Sequence, residues 1–443
     1  MLRVQEEKED MKKGITIMAA MLVALGAHAQ KKWTLKECID YAIENNVTLK
    51  QVKLKAKSAQ EDVKQSRAAL LPTVTASTNQ GVGYSPFDES GADKTYYSGS
   101  YNVNAQWTVW NGGQNTNALK INKLTAEQSE LSVDETSNDI QETVTKLFVQ
   151  ILYMTEAIEV NRQSLETSKK NEERGRTMVE VGKMSKADLA QLTAQRVAGE
   201  YAIVESETQL AKYKQQLKSE LELLDQSTFD IAVPVTSDQQ ALADIPTMLS
   251  VYEAALMQRP EIKSAQLGIE SSNLQLKSAK AGYLPSVTMS ANASTSTNSI
   301  SQVSWGQQMK NGLGLSASVG VSVPIFDGRK TKTSIRKAKI AREQATLSVR
   351  KEEDNLYYTI EGLWLDAVNN QQKFISASAS VDSEQASYDL LQEQFNLGLK
   401  NIVELLSGKD KLLTAQQNKL QSKYMTILSQ QLLKFYEGKQ INI

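Results

Sequence analysis

Two periodicities divide this chain. Tyr97, Tyr101, Val103, Ala105, Trp107 and Val109 alternate with Ser98, Ser100, Asn102, Asn104, Gln106 and Thr108. Leu313, Leu315, Ala317, Val319, Val321 and Val323 alternate in the same way with Gly314, Ser316, Ser318, Gly320 and Ser322. Val287, Met289, Ala291 and Ala293 alternate with Thr288, Ser290, Asn292 and Ser294, and a weaker version begins at Val74. A period of two predicts four strands in two hairpins, with loops near residues 85–94 and 297–311. The other periodicity is helical. Residues 114–181 and 330–397 contain no Pro, and their apolar positions recur at steps of four and three. The first seam runs Ile140, Val144, Leu147, Ile151, Met154, Ile158 and Leu165, and the second runs from Leu356 and Ile360 through Phe374 and Tyr388 to Phe395. At 1.5 Å per residue such helices reach about 100 Å. Each meets a glycine, Gly182 or Gly398, after which a return helix is predicted, over residues 186–224 and 402–436. These pairs read as antiparallel coiled-coil hairpins. Shorter helices over 35–71 and 247–284 should break at Asn45-Asn46 and Pro260 and end at Pro72 and Pro285.

The pattern occurs twice. Residues 71–79, LPTVTASTN, return as LPSVTMSAN at 284–292, six identities in nine at an offset of 213. Val109-Trp110-Asn111-Gly112 corresponds to Ile325-Phe326-Asp327-Gly328, and Gly182 with Asp188-Leu189 to Gly398 with Glu404-Leu405, both at an offset of 216. Ordered blocks at nearly constant offset indicate an internal duplication. A first repeat spans 30–230, with hairpin 72–113, long helix 114–181 and return helix 186–224. A linker covers 231–246, and a second repeat covers 247–443, with hairpin 285–328, long helix 330–397 and return helix 402–436.

Composition changes what the strands mean. Residues 72–113 and 285–328 hold 11 of the 22 Gly and only six charged residues, and residues 281–309 hold no charge. A soluble sheet with one wet face would carry Lys and Glu there. Here the polar face is Ser, Thr, Asn and Gln, and Tyr97, Tyr101, Trp107 and Trp110 lie near the strand ends of the apolar one, as in a membrane barrel with aromatic girdles. The lipid-facing set is therefore Tyr97, Tyr101, Val103, Trp107, Val109, Val287, Met289, Leu313, Leu315, Val319, Val321 and Val323. The lumen-facing set is Asn102, Asn104, Gln106, Thr288, Ser290, Asn292, Ser316 and Ser318. Four strands do not close a barrel; two copies would fill their interior with side chains, and three would give twelve strands and a lumen. The fold class is thus a mixed α/β membrane protein, with long coiled-coil helices and four strands per chain shared in a trimeric twelve-stranded β-barrel.

With 50 basic and 51 acidic residues the chain has no basic surplus for nucleic acid. The single Cys excludes an intrachain disulfide. Met11-Lys12-Lys13, the apolar stretch to Gly26 and Ala27-His28-Ala29 form an export signal over residues 1–29, with Met11 as an alternative start. A membrane anchor is the alternative, but the apolar run is short of the roughly 20 residues of a spanning helix. Cleavage would remove the only His, and with it triads of the usual form. No metal-ligand spacing or phosphate-loop fingerprint is present, so no cofactor and no enzymatic activity are expected.

A signal peptide, a duplicated unit, Leu71-Pro72-Thr73-Val74, Pro324-Ile325-Phe326-Asp327-Gly328 and the two G-x5-[DE]-L reversals from Gly182 and from Gly398 together resemble the TolC-like outer-membrane efflux proteins. The resemblance implies a homotrimer in outer-membrane lipid, with a twelve-helix tunnel across the periplasm of a Gram-negative bacterium. It also implies a periplasmic adaptor (membrane fusion protein) and an inner-membrane pump of RND, ABC or MFS type, serving efflux or type I secretion. The gate would lie at the tips, with Gly182, Asp188, Phe395, Gly398, Lys400 and Glu404. Threefold symmetry would gather Asp188 and Glu404 into rings of three carboxylates favouring cations, latched through Lys400, Lys183 or Lys186. Phe395 lacks the hydroxyl that a Tyr would bring to such a latch. The alternative is that these charges are ordinary solvated tip residues. For the whole chain, the competing reading is a periplasmic adaptor with coiled-coil hairpins.

Overall fold

The computed structural model describes residues 32–87, 94–224, 229–234 and 236–442. The expected leader, residues 1–29, lies outside the described residues. The chain begins with the two-residue strand β1 (Lys32–Trp33) and helix α1 (Leu35–Asn45). A reciprocal cap starts α1: Glu37 N donates to Thr34 Oγ1 at 3.3 Å, and Thr34 N donates to Glu37 Oε2 at 2.9 Å. Asn46 leaves the helical backbone, and α2 (Val47–Ala68) follows. Next come strands β2 (Thr73–Tyr84) and β3 (Thr95–Trp110), long helix α3 (Gln114–Glu180) and return helix α4 (Lys186–Glu220). After β4 (Asp230–Ile231) and the short α5 (Asp238–Ala241), the second pass repeats the first. It contains α6 (Met248–Gln258), α7 (Pro260–Lys280), β5 (Ser286–Asn298), α8 (Trp305–Asn311), β6 (Gly314–Ser322), α9 (Lys330–Asn396) and α10 (Ile402–Tyr436). Pro260 is the first residue of α7, where its missing N–H removes no helical bond. Both long helices have 67 residues, about 100 Å of rise.

Two compact units cut across the sequence repeats: the described residues within 32–47, 137–258 and 356–442 form one, and those within 48–136 and 259–355 the other. In the first, β1 and β4 pair in parallel and the helices bury Phe148, Ile151, Leu152, Leu192, Leu217, Phe374 and Tyr424. The linker before α6 lies against these helices without a ladder, so side chains satisfy its carbonyls. Trp364 Nε1 donates to Pro246 O at 3.1 Å, Gln371 Nε2 to Ala241 O and Ala243 O at 2.9 Å, and Lys423 Nζ to Thr236 O at 2.9 Å.

The second unit contains the four-stranded sheet, ordered β2-β3-β5-β6 and antiparallel throughout. β2 and β6 are its edges. All nine residues of β6 are exposed. Three features differ from the sequence expectation. The second hairpin loop contains α8, whose seven residues are too few to show a period. Leu313 and Val323 flank β6: Leu313 N bonds back to Lys310 O after α8, and Pro324 lies beyond Val323. The β3–β5 register also shifts between Thr108 and Trp110, a bulge that leaves Val109 without a ladder partner.

Candidate functional site

The sheet is a wall with two chemically distinct faces. On one face, cross-strand rows run Trp110–Val287–Val321, Trp107–Met289–Val319, Val74–Ala105–Ala291–Ala317 and Ala76–Val103–Ala293–Leu315. Beyond them come Thr78–Tyr101–Thr295 and the pair Val82–Tyr97. The opposite face carries Thr108–Thr288–Gly320, Thr73–Gln106–Ser290–Ser318, Thr75–Asn104–Asn292–Ser316 and Ser77–Asn102–Ser294–Gly314. The lipid-facing residues expected within the ladders thus share one face and the lumen-facing ones the other. Val109 is the exception, since the bulge hands its place to Trp110. No residue of the four strands is ionisable except tyrosine. The polar face offers hydroxyl and amide dipoles, with Ser290 and Ser318 bonded at 2.7 Å. Trp107 Nε1 donates to Leu70 O at 2.9 Å, which pairs its one polar atom and leaves the ring to the apolar side. Tyr101 meets Trp305 of α8 edge-on at 6.2 Å. Strands of 9 to 16 residues suffice to cross a bilayer at barrel tilt. No helix among the described residues is long and apolar enough to cross a membrane.

The helical unit carries the tips. Both long helices end alike: Lys183 N bonds Met178 O at 2.8 Å and Gly182 N bonds Val179 O at 3.0 Å. Leu399 N bonds Gln394 O at 2.9 Å and Gly398 N bonds Phe395 O at 3.1 Å. Gly182 and Gly398 both have φ of 74°, the left-handed conformation this terminating motif requires. Asp188 and Glu404 occupy matching third positions of the return helices. Asp188 N donates to its capping Ser185 Oγ at 3.0 Å, and that hydroxyl donates to Asp188 Oδ2 at 2.8 Å. Glu404 accepts from Asn401 N at 3.2 Å and from Lys400 Nζ at 2.5 Å. The Lys400 bond, followed by that from Asn401, holds the Glu404 carboxyl below the usual carboxylate range. Lys400 therefore pairs with the carboxylate of its own turn. Lys183 and Lys186 make no ion pair among the described residues. Phe395 is buried with Leu192, Tyr388, Ile402, Leu405 and Leu412.

The tips also contain polar groups that the sequence pattern did not single out. Glu172 is 4% exposed and takes Arg196 Nε at 2.6 Å, Arg176 at 3.0 Å and the Thr193 hydroxyl at 2.9 Å. The Arg176 bond is the largest factor keeping its carboxyl ionised. Lys409 is buried on α10 against the Ser168 hydroxyl, with no carboxylate bonded to it among the described residues. Burial pushes its ammonium down to about 8. Gln195 Nε2 donates to Asp410 at 2.8 Å, joining the two return helices. Glu172 lies seven residues after the seam position Leu165, and Lys409 lies between Leu405 and Leu412. A charge on an apolar beat was the available signal.

The outer membrane efflux protein family matches twice, over residues 38–224 and 251–439. The chain is 21% identical over 422 residues to the outer membrane efflux protein BepC of Brucella suis, covering 93% of this chain and 88% of the relative. It is 23% identical over 431 residues to the outer membrane protein TolC of Vibrio cholerae, covering 92% and 91%. Among solved structures, the outer membrane protein VceC of Vibrio cholerae superposes with a TM-score of 0.77 at 16% identity, covering 92% of this chain and 97% of that one. The CmeC outer membrane channel of Campylobacter jejuni gives 0.77 at 17%, covering 92% and 87%. Two family matches over one two-faced sheet and two helical hairpins set aside the adaptor reading: the chain belongs to the outer membrane efflux protein family, as a channel of the outer membrane that extends into the periplasm.

Proposed function

We propose that three copies of this chain close a twelve-stranded barrel and a continuous helical conduit, through which cargo delivered by a periplasmic adaptor and an inner-membrane pump leaves the cell passively. The observation that carries this reading is the sheet with two unpaired edges, β2 and β6, and opposite apolar and uncharged polar faces. A nine-residue edge with neither Lys nor Pro is an association surface that needs a partner. Another copy supplies one. Twelve strands leave a water-filled lumen, and a wall of hydroxyls and amides discriminates weakly among cargoes.

The tips are the proposed gate, with Gly182 and Gly398 marking the reversals and Asp188 and Glu404 supplying threefold rings of carboxylate. Lys400 neutralises Glu404 in each copy, so the latch is an ion pair within one turn, and Phe395 supports it from the core. The groove lined by Gln191, Gln195, Glu384, Val403, Asp410 and Lys411 is the proposed seat of the adaptor. Planar-bilayer recording from purified material, with its mass measured in detergent, tests the assembly. A trimer with steady conductance is expected, whereas a monomer or a silent bilayer would overturn the proposal. In the same assay Lys400→Glu should raise leakage, because it sets two carboxylates where one pair stood; unchanged conductance would remove the latch.

A further inference from the structure

All four strands reach the helices at one end of the sheet, through residues 69–72, 111–113, 281–285 and 323–329. The charges nearest those junctions are mostly basic, although Asp62, Glu127 and Glu343 adjoin the stretches and Lys64 pairs with Glu61 at 2.7 Å. Residues 63–72, 111–126, 274–285 and 323–342 contain Lys64, Arg67, Lys120, Lys123, Lys277 and Lys280, seven basic residues from Arg329 to Arg342, and a single acid, Asp327. All thirteen basic residues are exposed. Asp327 is engaged as a helix cap, accepting from Thr331 N at 2.7 Å. Among the described residues none of the basic residues from 329 to 342 forms an ion pair.

Their placement on α9 is selective. Thr331, Ile335 and Ala338 turn toward the rest of the unit, and Thr331 is 7% exposed. Lys330, Lys332 and Arg336 fall on the opposite side, within an arc of about 160° at 3.6 residues per turn, whereas Lys337 borders a groove shared with α3 and α7 and Arg342 falls on the side of Ile335. The internal duplication supplies a control. At the equivalent register α3 carries Gln114, Thr116, Lys120 and Ile121, so the helix folds without this charge. Between the last strand and α9, Ile325 and Phe326 are more than 90% exposed.

Resting on the reading of the sheet as a membrane wall, we infer that this basic collar binds the headgroups of anionic phospholipids in the leaflet nearest the helices. Ile325 and Phe326 would enter the acyl boundary beside it. Apolar side chains at the boundary with Lys and Arg one turn deeper into water make an interfacial anchor. Each basic side chain near an anionic surface favours binding by about fivefold, within a Debye length of about 8 Å.

The test compares purified native protein with Lys332→Gln/Arg336→Gln/Lys337→Gln, a change that costs little helix propensity. Both are reconstituted in phosphatidylcholine with about one lipid in four replaced by phosphatidylglycerol, an anionic-leaflet mimic. Lipid retained after detergent re-extraction is measured by mass spectrometry. The native protein should retain phosphatidylglycerol over phosphatidylcholine by about fivefold or more, and less as salt rises. The triple variant should lose the preference while remaining trimeric in phosphatidylcholine. A second triple variant, Lys50→Gln/Lys53→Gln/Lys55→Gln at the far end of α2, should keep it. An unchanged preference in the α9 variant overturns the inference. So does altered ion selectivity with unaltered lipid retention, which would place the collar on water instead of lipid. Native protein that neither trimerises nor conducts in phosphatidylcholine would overturn the wall reading and the inference with it.

Discussion

Lys409 shows how one residue can leave a helical core dependent on pH. Its folded pKa, about 8, lies below that of an unfolded lysine because burial penalises the ammonium. Between about pH 8 and 10.4 the unfolded chain binds more protons, so stability should rise with pH across that window. Lys409→Met should raise the thermal midpoint at pH 7 and flatten the rise, as read by melts from pH 7 to 10.5; an unaltered slope would exclude Lys409 as its source. Glu404 acts in the same direction, at acid pH. Its depressed carboxyl pKa means that stability present above the unfolded value is lost as pH falls through the folded one. The terminating glycine separates backbone from packing. Nothing lies within 4 Å of a Cβ built on Gly398. Gly398→Ala should thus cost only the left-handed penalty, about 1–2 kcal/mol, visible as faster amide exchange in that turn. Gly398 was legible from its place after a long seam. Glu172 and Lys409 were less so, because a heptad reading scores apolar beats and treats a charge as a gap, while their burial depends on partners from other helices.

At the level of elements, alternation carried far. The faces of β3, β5 and β6 follow from residue type because a period of two leaves each strand one apolar side. The bulge did not follow, since Tyr97 to Val109 fits the period without interruption and only Trp110 falls out of step. Val319 and Ser318 are adjacent on β6 and point to opposite faces. Val319→Lys, on the apolar side, should cost about 2–4 kcal/mol near a bilayer midplane. Ser318→Lys should assemble normally and shift conductance toward anions. Folding yield and reversal potential check the pair, and equal tolerance of both would contradict the assignment of faces. The helix breaks at Asn46 and before Pro260 were legible because each rests on local backbone chemistry. Helix α8 was hidden within a loop whose only charge is Lys310.

For the whole molecule, the β3–β5 ladder inside one chain has a consequence for the seam between chains. It joins the last strand of one hairpin to the first of the next, as β6 and a neighbour's β2 would. Carried over by the repeat offsets, its pairing of Val103 with Ala293 and Tyr101 with Thr295 sets Val319 opposite a neighbour's Gln80, and Ala317 opposite its Val82. Ala317→Cys combined with Val82→Cys should then crosslink neighbouring copies on oxidation, and a displacement by one position along β2 should not. In the proposed trimer the same joint is made six times, three times by a continuous chain and three times by strangers, so a half-length precursor with one hairpin would already possess every contact needed to draw the circle.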